Sequence, residues 1–158
     1  MAQSQLGNAL GAPLLVGVLT IVLTVPLHGI AGYGIVHLAQ NAVRSGFAGG
    51  RFSRDVLVLS VVMLIVLAAH LVQIAIWAVL FELCGEFSRF GEAFSHSAVN
   101  YTTLGYGDVV MSPHWRLLGP IEAADGMLMF AFSTAIVMAV IQRIIRTSLD
   151  DIRPGSFD

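Results

Sequence analysis

The chain has 158 residues, of which 56% are hydrophobic and 11% charged, and its mean hydropathy of +0.82 exceeds what a soluble domain carries. These values exclude a disordered chain and an ordinary globular enzyme, and a net charge of −2 leaves no basic surface for a nucleic acid. A single cysteine, Cys84, excludes a disulfide framework within one chain.

Long apolar runs predict three membrane-spanning helices. Apart from the terminus, no charge occurs before Arg44, and Val56–Phe81 is also free of charged side chains. Both runs exceed the roughly 20 apolar residues that a helix needs to cross hydrocarbon. We expect the spans at about Pro13–Gln40, Val56–Phe81 and Gly119–Gln142, the last with Glu122 and Asp125 in its first half.

These spans divide the chain into four parts and predict an orientation. The parts are an N-terminal transmembrane helix (1–42), a connection (43–55), a two-span module (56–142) and a short tail (143–158). Most of the arginines lie in the connection or in the tail. The excess of cations on the cytoplasmic side of membranes therefore predicts a multi-pass membrane protein with the N-terminus outside and the tail cytoplasmic.

The segment between the second and third spans, Glu82–Leu118, is too long for a turn. Residues Phe87–Tyr101 place apolar side chains at three- and four-residue spacing, which predicts a short helix. The acidic residues before it, Glu82 and Glu86, are interpreted as solvated loop charges. Two glycines then alternate with side chains in Thr102–Asp108. Glycine allows torsions in which successive carbonyl groups point the same way, and aligned carbonyl oxygens are ligands for a weakly hydrated cation.

Residues 103–108, Thr-Leu-Gly-Tyr-Gly-Asp, resemble the selectivity filter of tetrameric potassium channels, whose signature is Thr-Val-Gly-Tyr-Gly-Asp. The resemblance extends over about Val56–Gln142, the pore module of bacterial two-span channels. It implies an all-α membrane protein with three transmembrane helices, a re-entrant pore helix and a filter loop, assembled as a homotetramer. The N-terminal helix is extra to that module. The resemblance also implies a location in the plasma membrane, of the bacterial inner membrane type.

The resemblance also implies roles for individual residues. The carbonyl groups of Thr103, Leu104, Gly105 and Tyr106 bind potassium, together with the Thr103 hydroxyl, and Gly107 completes the filter; Leu104 stands where valine is commoner. Asp108, His96 and Thr102 are expected to support the filter. Gly126 is expected to be the hinge of the inner helix. The residues expected to line the inner cavity share one helical face at Met127, Phe130, Thr134 and Met138.

Antiparallel alignment of the second and third spans predicts a buried polar cluster. It places Asp125 near Gln73 and within about one turn of His70, so we expect hydrogen bonds from Asp125 to both. Such a cluster fastens the inner helix to the outer one. A second interpretation adds gating by protons, because a histidine beside a carboxylate titrates near neutrality.

The function predicted from these features is passive, potassium-selective conduction through a tetrameric pore. The expected partners are three further copies of the chain, membrane lipid and potassium as the permeant ion, with no cofactor, no nucleic acid and no enzymatic activity. An intramembrane hydrolase built from Ser97, His96 and Asp108 is disfavoured, because all three lie on the filter segment. A subunit of a potassium uptake transporter and a weakly selective cation channel are the alternatives.

Overall fold

The computed structural model describes residues 2–152, with side chains described for residues 11–149. This part of the chain contains four helices and no strand, so the predicted all-α fold is confirmed for it. The helices, in chain order, are α1 (Ala2–Arg44), α2 (Phe52–Leu83), α3 (Phe90–Tyr101) and α4 (Leu118–Ile152).

Three helical segments are long and apolar enough to cross a membrane, at Gly11–Arg44, Phe52–Leu83 and Leu118–Leu149. The prediction of three long apolar helices is therefore confirmed, although the predicted spans are shorter than the helices in the structure. Helix α4 continues past Gln142 through two arginines to Ile152, because a long cationic side chain can extend into water without breaking the helix. Helix α1 likewise continues through Pro13 and Pro26.

Packing divides the chain into two units, and each is described by itself. The first unit contains residues up to 28 together with residues 70–130. Its core includes Trp77, Phe81, Tyr101 and Leu118, all with no exposed surface. These side chains belong to α2, α3 and the start of α4, so the short helix is held between two long ones.

The second unit contains residues 29–69 and those from 131 onward. Its core includes Ile35, Val62 and Ile144, one side chain from each of α1, α2 and α4. A Cβ atom on Gly32 would lie 2.5 Å from Cδ1 of Ile136, so a glycine lets α1 approach α4 closely. Close packing at small residues stabilises helix pairs in lipid, where burial of apolar surface gives little driving force.

Candidate functional site

Helix α3 presents a buried face of small and hydroxyl-bearing residues. Its N-cap residue, Arg89, has an extended backbone with φ −133° and ψ 127°, and the buried side chains are Ala93, Ser97 and Tyr101. They recur every four residues, which places them on one side of the helix. The helix begins at Phe90 and not at Phe87 as predicted. Of the residues whose spacing predicts it, Tyr101 lies on the buried face, whereas Phe90 is 46% exposed.

The segment that follows α3, residues 102–108, is called here the glycine segment. Its backbone alternates, with positive φ at Thr103 (60°), Gly105 (57°) and Gly107 (74°). Glycine adopts this region without steric cost, whereas Thr103 is a β-branched residue for which it is strained. A strained backbone of this kind persists where the surrounding structure holds it in place. The alternating φ values therefore belong to the folded conformation of this segment.

In the glycine segment, several N–H groups donate hydrogen bonds within the described chain, whereas the carbonyl groups of residues 103–107 accept none from it. The N–H groups of Thr103, Leu104 and Gly105 donate to Asn100 or Val99 carbonyl oxygens at 2.8 to 3.3 Å. Among the residues that the structure describes, none donates a hydrogen bond to the carbonyl oxygens of residues 103–107. Thr102 ends α3, and its hydroxyl donates to the Ala98 carbonyl at 2.7 Å.

Of the three residues predicted to support the glycine segment, His96 and Asp108 line one cavity, and Thr102 is not part of its lining. His96, Tyr106 and Asp108 line one cavity, together with Phe87 and Val99 among others. The Asn100 amide lies within hydrogen-bond distance of His96, at 3.0 Å from its Nε2. Burial lowers the pKa of His96, and the negative charges of Asp108 and Glu86 oppose that effect.

Asp125 is buried with no exposed surface, but its hydrogen bonds differ from those expected. Its Oδ2 accepts hydrogen bonds from the Thr24 hydroxyl and from the Trp77 indole N–H, both at 3.0 Å. The expected bonds to Gln73 and His70 are therefore replaced, because α1 supplies a donor that the two-span alignment did not include. The other carboxylate oxygen has no hydrogen-bond partner among the described residues.

Gln73 and His70 instead join a second chain of buried hydrogen bonds. The Tyr101 hydroxyl donates to Oε1 of Gln73 at 2.6 Å, and the Gln73 amide lies 2.6 Å from Nδ1 of His28. Since Tyr101 has one hydrogen and uses it on Gln73, the 3.0 Å contact with His70 takes its hydrogen from Nδ1 of that ring. The network thus links α1, α2 and α3 within the first unit.

Glu122 is buried, and its hydrogen-bond partner is not predicted from the sequence. It has no exposed surface, and its Oε1 lies 2.5 Å from the Ser97 hydroxyl. That hydroxyl also donates to the Ile74 carbonyl oxygen at 2.8 Å. The four-residue spacing of Ala93, Ser97 and Tyr101 is the signal in the sequence that Ser97 faces inward with Tyr101.

Gly126 is the position at which α4 passes closest to the end of α3. A Cβ atom there would overlap the Tyr101 carbonyl oxygen, far inside contact distance. Glycine is therefore required by this approach. Helix α4 runs without interruption through Gly126, and the predicted hinge stays a prediction.

The four residues predicted to line an inner cavity lie on one exposed face of α4. Met127, Phe130 and Met138 are 57%, 40% and 51% exposed, and Thr134 is exposed as well. Phe130 also packs its ring 4.5 Å from His70 and 5.7 Å from Tyr101. Phe130 therefore connects this exposed face to the polar network.

Beyond the glycine segment the chain is fastened by Glu86. Its carboxylate accepts hydrogen bonds from the Ser112 amide at 2.7 Å and from the Ser112 hydroxyl at 2.5 Å. Glu86, interpreted from the sequence as a solvated loop charge, is thus hydrogen-bonded to Ser112 in an exposed contact. A contact between residues so far apart in the chain has no periodic signal from which it could be predicted.

Comparison with known families identifies the class of protein to which this site belongs. A family model described as "Ion channel" matches residues 61–143, which is more than half of the chain. The chain belongs to this ion channel family. Comparisons with curated proteins and with solved structures give no match.

Family membership agrees with the membrane character of the helices. The match covers most of α2, all of α3, the glycine segment and α4 up to Arg143. The prediction of an ion channel in a membrane is confirmed at that level. Helix α1 lies outside the match, and it supplies Thr24 to the buried carboxylate of Asp125 in the channel.

Proposed function

We propose that four copies of the channel chain assemble around an axis and conduct potassium passively, with the ions bound by carbonyl oxygens of residues 103–106. One observation carries the proposal: positive φ values alternate at Thr103, Gly105 and Gly107, in a segment whose carbonyl oxygens accept no hydrogen bond from the described residues. Such oxygens are suited to replace the water shell of a weakly hydrated cation.

An assembly of several copies follows from the number of ligands that an ion needs, and the resemblance to tetrameric channels implies four. One chain contributes one row of carbonyl oxygens, so a ring of ligands around an axis needs several copies related by rotation. Helix α3 ends at the glycine segment, and the partial negative charge of its C-terminal end favours a cation there. In this arrangement α3 re-enters the membrane as a pore helix.

The exposed face of α4 then lines the cavity below the filter, with Gly126 as the point about which the inner helix bends. The basic connection (43–55) and the tail lie in the cytoplasm, and the N-terminus lies outside. Asp108 and Tyr106 stand at the outer end of the filter beside His96, which shares a cavity with both.

Ion flux into liposomes tests the proposal. We expect liposomes that contain only the full chain to take up rubidium or potassium and to exclude sodium. Gly105→Ala should abolish this uptake or its selectivity, because φ of 57° is strained for alanine. Gly91→Ala is the matched control, since a Cβ atom at that position on α3 meets nothing within 4 Å.

Other outcomes identify the alternatives. Equal uptake of sodium and potassium would indicate a weakly selective cation channel, for which Leu104 in place of valine is the first position to examine. Uptake that requires ATP or a partner protein would indicate a transporter subunit. Normal potassium selectivity in Gly105→Ala, or a stably monomeric chain in native mass spectrometry, contradicts the proposed filter.

A further inference from the structure

A cavity in the second unit combines an apolar wall with two cationic side chains. It lies between α1 and α4 and has a volume of about 260 Å³. Its wall includes Val36 and Ala39 of α1 and Ala139 of α4, while Arg44 and Arg143 provide the charge. The amide of Gln40 adds a further polar group to the lining.

Neither arginine is neutralised by an acidic side chain among those that the structure describes. Arg44 and Arg143 are exposed, and no ion pair joins either of them to a carboxylate within residues 11–149. The acid of the neighbouring connection, Asp55, accepts a hydrogen bond from the Gly49 amide at 2.7 Å. The two guanidinium groups therefore present planar donor arrays that match phosphate oxygens.

The cavity lies near the ends of the apolar runs of two helices. Arg44 is the last residue of α1, at the end of its apolar segment, and Arg143 follows the apolar run of α4. Arg143 is five residues after Met138, which turns it roughly 140° around the helix from the exposed Met127–Met138 face. The cavity therefore faces away from that surface.

We propose that this cavity binds an anionic phospholipid, with its phosphate group between Arg44 and Arg143 and an acyl chain along the wall formed by Val36, Ala39 and Ala139. A free phosphate ion would bind to the same arginines, but it would not need the apolar wall for binding. Charge and wall together favour the lipid as the occupant. This proposal does not depend on potassium selectivity.

Native mass spectrometry of the full chain in detergent tests the site. Phosphatidylglycerol, phosphatidylcholine and inorganic phosphate are titrated separately. We expect tightest binding of phosphatidylglycerol, and about 30-fold weaker binding in the double variant Arg44→Gln/Arg143→Gln, since each arginine near the surface is worth about a factor of five. The double variant should leave binding of phosphatidylcholine unchanged.

Two further variants make the result specific. Arg116→Gln removes an exposed arginine of the first unit and should leave phosphatidylglycerol binding unchanged. Ala139→Leu keeps both charges and narrows the cavity, so it should weaken phosphatidylglycerol binding even if the double variant fails to fold. Equal affinity for the two lipids, equal affinity for inorganic phosphate, or a loss in Arg116→Gln as large as in the double variant would overturn the proposal.

Discussion

At the scale of single residues, the contact between Ser97 and Glu122 raises a question of hydrogen count. The Ser97 hydroxyl lies 2.8 Å from the Ile74 carbonyl oxygen and 2.5 Å from Oε1 of Glu122, yet it carries one hydrogen. Both contacts are hydrogen bonds if Glu122 carries a proton and donates to Ser97. A neutral carboxyl group also suits a site that is closed to water.

Substitution of Glu122 tests this arrangement. Glutamine supplies an N–H group in the same place, so Glu122→Gln should keep the thermal unfolding midpoint close to that of the wild type. Glu122→Ala leaves Ser97 without this partner and creates a cavity, which should cost about 2–5 kcal/mol of unfolding free energy. Glu92→Ala, at an exposed glutamate of α3, is the control, and a Glu122→Gln protein as unstable as Glu122→Ala would contradict the neutral carboxyl.

His96 gives the site a defined dependence on pH. Burial lowers the pKa of its imidazole from the ordinary value of 6.5, so the folded chain holds this ring neutral at pH values where the unfolded chain protonates it. The unfolded state then binds more protons, and stability rises with pH. The contribution of His96 is complete above pH 6.5 and is lost as the pH falls towards the folded-state pKa.

Thermal unfolding between about pH 7.5 and pH 5 measures this effect. The midpoint of the wild type should decrease on acidification, and His96→Gln should remove part of that decrease, at most about 1.4 kcal/mol per pH unit. His114→Gln removes an exposed histidine of the loop before α4 and is expected to retain the wild-type slope. A His96→Gln slope identical to that of the wild type would show that this ring does not contribute.

At the scale of helices, α1 is fastened to the channel module by a buried hydrogen bond. Thr24→Val keeps the side-chain shape and removes the hydroxyl, which lies 3.0 Å from Oδ2 of Asp125 and 3.1 Å from the Ile21 carbonyl oxygen of its own helix. The loss of one donor to a buried carboxylate should lower the free energy of unfolding by about 1–3 kcal/mol. Thr20→Val is the matched control, because the Thr20 hydroxyl bonds to the Val16 carbonyl of its own helix. Equal stability of the two variants would contradict the fastening role.

The long helices could be predicted from the sequence because each is coded locally. Long apolar runs specify α1, α2 and α4, the last of them with two acidic residues inside it. The helix ends lie beyond these runs, because a helix continues where its side chains can reach water. The partners of α1 could not be predicted. The hydrogen bond between Thr24 and Asp125 depends on how α1 packs against the other helices. The sequence pattern around these two residues contains no information about that packing.

At the scale of the whole molecule, potassium should stabilise the assembled channel. If the carbonyl oxygens of residues 103–106 bind the ion in the folded state alone, saturation at about 100 times the dissociation constant adds about 2.7 kcal/mol. We expect the unfolding or subunit dissociation midpoint to be higher in potassium than in sodium. The difference should vanish in Gly105→Ala and persist in Gly91→Ala, and an equal midpoint in the two salts for the wild type would count against ion binding.

The sequence predicts the glycine segment of the candidate site, but it does not predict the buried hydrogen-bond network around it. Residues 103–108 form a contiguous pattern, so their alternating backbone could be expected from the order of glycines and side chains alone. Ser97, Trp77 and His28 are distant in sequence and carry no shared period. Their convergence on buried partners is therefore visible only in the folded chain.

The fastening of Glu86 to Ser112 has a practical consequence for engineering. Both ends of the stretch 86–112 are hydrogen-bonded to each other, so we expect that this stretch can be transferred into another channel chain as one unit. A graft needs to keep Ser97 and Tyr101, which meet the host helices through Ile74, Glu122 and Gln73. Under the proposed function, such transfers would change the ion preference while the long helices stay the same.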